Sequence, residues 1–259
     1  MADTKPTGTS DSPCGRIDIH SHMLPGIDDG CENMDQVLES IKQLKAAGYV
    51  GSICTPHMYP EVYPLNTAPC IEILTAQLNA KLASAGVAYR LWPGGEVCLF
   101  DGVIDWLKVH GVPTLAGSRC VLTDFWQDKW PRWIDTAYDW FIGNGFQPIL
   151  AHPERIPASK ELDAGVTRLI EKGVWLQGNF RSFTGAEGYT ANRLVRQWLT
   201  NERYQFLALD MHRPESLDSR LDGVQLLVEE FGGEIFDEMT ITAPRHLIFG
   251  ASDTTRAVC

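Results

Sequence analysis

The chain has 259 residues, enough for one large α/β domain, and carries 22 Lys and Arg against 33 Asp and Glu. A net charge of −11 disfavours nonspecific attraction to nucleic acid or to an anionic membrane surface. No run approaches the roughly 18 uncharged apolar residues of a spanning helix, and the start lacks the apolar core of a signal peptide, which predicts a cytoplasmic protein without membrane insertion.

Residues 1–14 are polar, turn-rich and without periodicity, the pattern of a disordered leader. From Arg16 onward, short apolar runs alternate with longer helical patterns, the signature of repeated βα units on a parallel sheet. The first strand is predicted at 16–20, followed by a helix at 34–47 with apolar Val37, Leu38, Ile41 and Leu44 on one stripe. Strands are expected at 50–54, 89–92, 120–123, 147–151, 174–177 and 204–209, with helices at 71–85, 133–142, 162–172, 194–199 and 221–231. A short apolar segment, 247–249, precedes a polar tail at 251–259. No linker or shift in composition divides the series, so residues 15–250 are expected to form one domain.

The informative observation is positional. His20, His22, His57, Glu96, Asp124, His152, Asp210 and His212 each fall at or just after the end of an apolar strand-like run. In a barrel of parallel strands these positions meet at the C-terminal rim, where chemistry sits in such folds, and Asp29 on the first loop joins them. His20 and His22, two residues apart, project to one side and reach one cation. Mixed imidazole and carboxylate ligands suit zinc, manganese or iron, whereas calcium and magnesium prefer oxygen cages. Nine ligands exceed the needs of one ion, so two or three divalent ions with a bridging carboxylate are expected.

Each residue also has an ordinary reading. A single His after a strand is commonly a hydrogen-bonded loop residue, and Asp28-Asp29-Gly30 can be a turn capping the next helix. Arg155 lies on the same rim, where its guanidinium takes phosphate oxygens, unless it pairs with adjoining Glu154. Arg213 is a second phosphate candidate and Arg181 a third. Trp126, Trp130 and Trp133 follow Asp124 and either wall a pocket for an aromatic ring or serve as packing anchors. His110 and His246 stand outside the pattern. The seven cysteines are odd in number, form no C-x-x-C pair, and read as reduced, buried small hydrophobes. None has an Arg six positions on, so a thiol-based phosphate loop is excluded.

At these residues the chain resembles the PHP (polymerase and histidinol phosphatase) superfamily, and within it the CpsB/CapC-type tyrosine phosphatases of capsule and exopolysaccharide clusters. The matching pieces are DIHSHMLPGIDDG at 18–30, TPH at 55–57, GGE at 94–96, AHPER at 151–155 and LDMHRP at 209–214, over a span of roughly 16–250. The resemblance implies a distorted (β/α)7 TIM-like barrel with three metals, often manganese. By position, one metal takes His20, His22, Glu96 and Asp210. A second shares Glu96 with Asp124 and His152, and a third takes Asp29, His57 and His212. It further implies a metal-bridging hydroxide as nucleophile, phosphate binding by Arg155, and a phosphotyrosine protein as partner, with a bacterial tyrosine kinase as the expected one.

Two positions depart from the family pattern. Asp124 stands where Glu is usual, which predicts a looser hold on the second metal. Arg213-Pro214 follows His212 at once, where the family has Asn and a later Arg-Pro. A small-molecule phosphatase acting on histidinol phosphate is the alternative within metal hydrolases, and a noncatalytic metal-binding module is the alternative outside them.

Overall fold

The computed structural model describes residues 15–127, 130–157 and 159–250, so the expected leader at 1–14 and tail at 251–259 lie outside the described residues. The strands are β1 (Arg16–Ser21), β2 (Tyr49–Cys54), β3 (His57–Met58), β4 (Arg90–Pro93), β5 (Glu96–Cys98), β6 (Cys120–Asp124), β7 (Gln147–Ala151), β8 (Trp175–Asn179) and β9 (Phe206–Ala208). The helices are α1 (Met34–Ala46), α2 (Ala68–Ser84), α3 (Val103–His110), α4 (Ile134–Gly143), α5 (Lys160–Glu171), α6 (Tyr189–Thr200), α7 (Leu217–Phe231), α8 (Gly233–Asp237) and α9 (Ala243–Phe249).

These nine strand segments carry the seven predicted strands, because two are interrupted. β2 stops before Thr55-Pro56, where proline has no N–H to offer a neighbour, and the chain resumes as β3. β4 likewise resumes as β5 after Gly94-Gly95, where a Cβ on Gly95 would stand 2.5 Å from the Met58 sulfur. The breaks divide the hydrogen bonding into a three-stranded sheet, β1-β2-β4, and a six-stranded sheet, β3-β5-β6-β7-β8-β9. All the described pairings are parallel. β9 and β1 approach at a single bridge between Ser21 and Met211. There the His22 N–H donates to the Met211 carbonyl at 2.7 Å, and the Leu209 N–H donates to Asp18 Oδ1 at 3.0 Å. The architecture is therefore α/β with parallel sheets.

Two apolar layers hold it. One cluster contains Ile17, Ile19, Ile53, Leu122, Ile149 and Phe206 from the strands, with Leu247 of α9 among them. The larger cluster joins the helices to the other strand faces through residues such as Val37, Ile41, Leu78, Tyr138, Val166, Trp198 and Leu227. Helix α1 forms on the predicted stripe, burying Val37, Ile41 and Leu44. Its cap is Asn33, whose side chain accepts from the Gln36 N–H, rather than the Asp28-Asp29-Gly30 turn.

Three helical segments were not foreseen. Helix α3 buries only Val103 and Leu107, too few positions to set a period. α8 and α9 are short and joined through a π-helical turn at Glu238–Thr242, so neither shows a sustained stripe.

Candidate metal centre

The register of β1 explains how it feeds both a core and a polar cluster. Asp18 pairs with Ser52 and Ser21 with Cys54, so β1 spends three steps where β2 spends two. The extra residue is a bulge, which re-aims the side chains beyond it. Ile19 stays in the apolar cluster while His20, its neighbour, turns to the polar one.

All nine predicted ligands lie together at the C-terminal ends of the strands. His20 Nδ1 donates to Gln177 Oε1 at 2.8 Å, and His22 Nδ1 donates to Asp28 Oδ2 at 2.7 Å. The two Nε2 atoms, on the far side of the rings from those contacts, face one another across 3.3 Å. Asp210 Oδ1 is 3.4 Å from each of them, and Glu96 Oε2 lies at 3.4 and 3.6 Å. Glu96 also reaches His152 Nε2, 3.1 Å from its Oε1, beside Asp124. On the outer side, Asp29 Oδ1 lies 3.4 Å from His57 Nε2 and 3.5 Å from His212 Nε2.

These residues fit metal ions, and two orphaned atoms say so independently. His57 Nδ1 and Glu96 Oε2 are buried 2.7 Å apart, yet neither has a hydrogen-bond partner of proper geometry. Buried polar atoms left unpaired cost about 1–3 kcal/mol each, a penalty that a shared cation removes. The donor set, imidazole nitrogens and carboxylate oxygens without thiolate, suits manganese, iron or zinc. Ligand atoms gather in overlapping groups: His22, Asp29, His57 and His212; His20, His152 and Asp210; His20, His22 and Glu96; Glu96, Asp124 and His152.

Electrostatics agree. Burial alone would raise the Glu96 and Asp210 carboxyls, but His20, with His57 at Glu96 and His212 at Asp210, holds both well below the ordinary range. Burial likewise favours a neutral His22, and the Asp28 carboxylate overrides it, pushing this imidazole well above its usual value. Asp28 is itself held down to about 2, because His22 outweighs its burial. Asp124 goes the other way, raised by burial despite the His152 charge. His212 is lowered to about 4, by burial and then by the charge on His22. A cation at the centre would satisfy the carboxylates without protonated imidazoles.

Two residues of the cluster have left-handed backbones, His152 with φ 32° and Asp210 with φ 52°. Such strain in non-glycine residues persists where the surroundings over-determine it. At Asp210 the surroundings are Arg220 of α7, whose guanidinium donates to the carbonyls of Leu209, Asp210 and Ser216 at 2.8–2.9 Å.

The cluster opens onto a cavity of about 400 Å³ whose lining includes Arg155, Arg181, Arg213 and Arg220. Arg155 does not pair with Glu154. Its Nη1 donates to Asp210 Oδ2 at 3.0 Å and its Nε lies 3.6 Å from Glu187, while 42% of its side chain stays exposed. Glu154 instead accepts from the Asn179 N–H, Ser182 and Tyr204. Arg213 sits at the mouth, 2.9 Å from Glu32. Trp126 lines the cavity. Trp130 packs on Phe125, and Trp133 is the N-cap residue of α4. His110 closes α3, and His246 is exposed on α9, both outside the cluster.

Sequence reasoning missed Asp28, Gln177, Asn179, Glu187 and Arg220. Asp28 lies in the 18–30 motif, beside Asp29. Gln177 and Asn179 lie at a strand end outside any motif, and Glu187 and Arg220 lie away from the strand ends, on a turn and on α7.

A parallel α/β fold with histidines and acids gathered at its strand ends defines a metal-dependent hydrolase type of site. Residues 16–249 match the family model described as capsular polysaccharide synthesis, CpsB/CapC, and the chain belongs to that family. It is 27% identical over 220 residues to the tyrosine-protein phosphatase YwqE of Bacillus subtilis, covering 85% of this chain and 86% of that protein. It is 25% identical over 242 residues to the tyrosine-protein phosphatase CpsB of Streptococcus pneumoniae, covering 90% and 98%. A solved structure from work on those two proteins, described as unique metal-dependent tyrosine phosphatases, superposes with a TM-score of 0.81 at 26% identity, over 90% of this chain and 94% of that one. A phosphotriesterase homology protein from Escherichia coli shares the fold, with a TM-score of 0.56 at 11% identity over 92% and 99%.

Proposed function

We propose that this chain is a metal-dependent tyrosine-protein phosphatase acting in capsule or exopolysaccharide regulation, as its family membership and relatives support. The observation that carries the reading is the buried imidazole–carboxylate cluster, with two Nε2 atoms facing each other 3.3 Å apart, opening onto an arginine-lined cavity. His20, His22, Asp29, His57, Glu96, Asp124, His152, Asp210 and His212 would hold two or three divalent ions, manganese foremost, with iron and zinc also suited to the donors. Bound ions supply Lewis-acid charge for the phosphoryl oxygens and lower the pKa of a water that attacks phosphorus.

The chain's own residues do the rest. Gln177 and Asp28 fix the tautomers of His20 and His22, so that the free nitrogens point inward. Arg155 takes phosphate oxygens with its exposed guanidinium edge, while Asp210 and Glu187 set its orientation. Arg213 adds positive charge at the mouth. We read the two sheets as one distorted (β/α)7 barrel over a single domain at 15–250, supported by the parallel order and by the Asp18 and His22 contacts across the β1–β9 seam. Protein phosphotyrosine requires a tyrosine kinase upstream, and a bacterial kinase of that class is the proposed partner. The proposed location is the cytoplasm, in keeping with buried thiols at Cys31, Cys54, Cys98 and Cys120; no helix among the described residues is long and apolar enough to cross a membrane.

The test is an assay of the manganese-reconstituted protein against a phosphotyrosine peptide, histidinol phosphate and a nucleic-acid substrate. Phosphate release from the peptide is expected, with His20→Ala losing bound metal and turnover together. Robust hydrolysis of histidinol phosphate with none of the peptide would overturn the reading.

A further inference from the structure

The lining of the cavity is mixed: it includes four arginines and also Trp126, 46% of whose surface is exposed. The indole does not hang free. Its Nε1–H donates to Asp124 Oδ2 at 3.0 Å, and the Phe125 N–H takes the other oxygen at 2.7 Å. The ring stands at 88° to His57 with centroids 5.1 Å apart, and at 78° to Tyr59 at 5.4 Å. Tyr63 stacks on His57 at 5.9 Å and 17°. Trp126 is therefore a pre-positioned aromatic surface at the edge of the cluster, whereas Trp130 is committed to Phe125 and to the surface of α5 at Gly165.

We propose that Trp126 is the specificity-determining wall of the site: its exposed ring takes the phenyl ring of a phosphorylated tyrosine, while its N–H positions Asp124. This rests on the reading of the chain as a tyrosine-protein phosphatase. A planar aryl group gains stacking or edge contact that a short alkyl phosphoester cannot make, and a rigid wall gives that contact at little entropic cost. The two parts of the indole have separable consequences. The ring sets which ester binds, and the N–H sets how firmly Asp124 is oriented.

The experiment uses calorimetric titration of the full, manganese-loaded chain with inorganic phosphate and with a peptide bearing phosphonomethyl-phenylalanine, a non-hydrolysable aryl phosphonate. The ratio of the two affinities isolates the ring contact, because both probes use the same phosphate site. In Trp126→Ala the ratio falls about tenfold. In Trp126→Phe, which keeps a ring and loses the donor, the ratio stays within about threefold of the parent, while metal affinity measured against a competing chelator weakens. The proposal is overturned if Trp126→Ala leaves the ratio within about twofold of the parent, or if Trp126→Phe lowers it as far as the alanine variant. Thermal unfolding of both variants verifies that they fold, as an exposed site permits. Failure of the functional reading looks different: the parent would bind the aryl phosphonate yet release no phosphate from a phosphotyrosine peptide.

Discussion

Asp28 touches no substrate cavity, yet it decides how His22 can act. Its carboxylate accepts a hydrogen bond from the Nδ1–H of His22 and others from the backbone N–H groups of Gly30 and His57, tying the first loop to the second. Asp28→Asn keeps the shape and removes the charge, and is expected to weaken metal binding about 10- to 100-fold, measured by chelator competition. The contact also has a pH signature in the metal-free protein. Asp28 falls from 3.8 to about 2 on folding, so its stabilisation is complete above pH 3.8 and is lost as pH falls through 2. That depression corresponds to about 2 kcal/mol. Urea unfolding should show the parent more stable than Asp28→Asn at pH 6, with the gap closing towards pH 2; a gap independent of pH would contradict the ion-pair account.

Arg155 is the second residue whose role separates from the metals. It contacts Asp210 from outside the histidine cluster, so Arg155→Ala should retain most bound metal while lowering kcat/KM for a phosphotyrosine peptide about 100-fold. Metal content by elemental analysis, beside the kinetics, separates this from a collapsed site. The Arg155–Glu154 pair allowed by adjacency did not form, because Glu154 points into a buried network with Asn179, Ser182 and Tyr204. Neighbouring positions on a tight turn face different ways, and adjacency in sequence does not report that.

At the scale of elements, α7 does more than cover the strands. It packs on the 3-10 turn Phe180–Thr184, with Gly223 so close that a Cβ there would stand 2.0 Å from the Phe180 carbonyl oxygen. From this seat α7 sends Arg220 under the strained Asp210 backbone. Gly223→Ala must push the helix away, which is expected to cost about 1–3 kcal/mol of stability and to cut turnover, because Arg220 moves with the helix. Thermal unfolding and kinetics of this one variant check both; a destabilised variant with undiminished kcat would show that α7 does not position Asp210. The bulge in β1 works at the same scale. Simple alternation would send Ile19 and His20 to opposite faces, and one inserted residue lets the same strand supply the inner core and then a histidine of the polar cluster.

The whole molecule carries −11, and its centre brings together five histidines and four acids from several strands and loops, with Asp28 and Arg155 each paired to a member of the cluster at its edge. Metal binding should therefore stabilise the fold as a whole. An ion held at 100 times its dissociation constant contributes about 2.7 kcal/mol, and for a chain of this length chelation is expected to lower Tm by about 5–10 °C. Restoring manganese should recover it, and calorimetry with and without chelator measures the difference. An unchanged Tm would argue against ions bound across several strands.

The amino-acid sequence by itself determined the α/β order, the seven strands and the nine residues of the cluster. Strand-end placement follows from local alternation, and H-x-H and D-x-H spacing needs no distant partner to be read. It did not reveal that the chain resumes as β3 and β5 beyond Thr55-Pro56 and Gly94-Gly95, since His57–Met58 and Glu96–Cys98 are too short to show an alternation. The tertiary structure alone decided which acid of Asp28-Asp29 faces His22 and which faces His57 and His212. It also decided that Gln177 and Arg220 serve the cluster, and that Trp126, not Trp130, lines the cavity. Each of these depends on where a side chain points in the folded chain, and that direction is set by packing rather than by any local period.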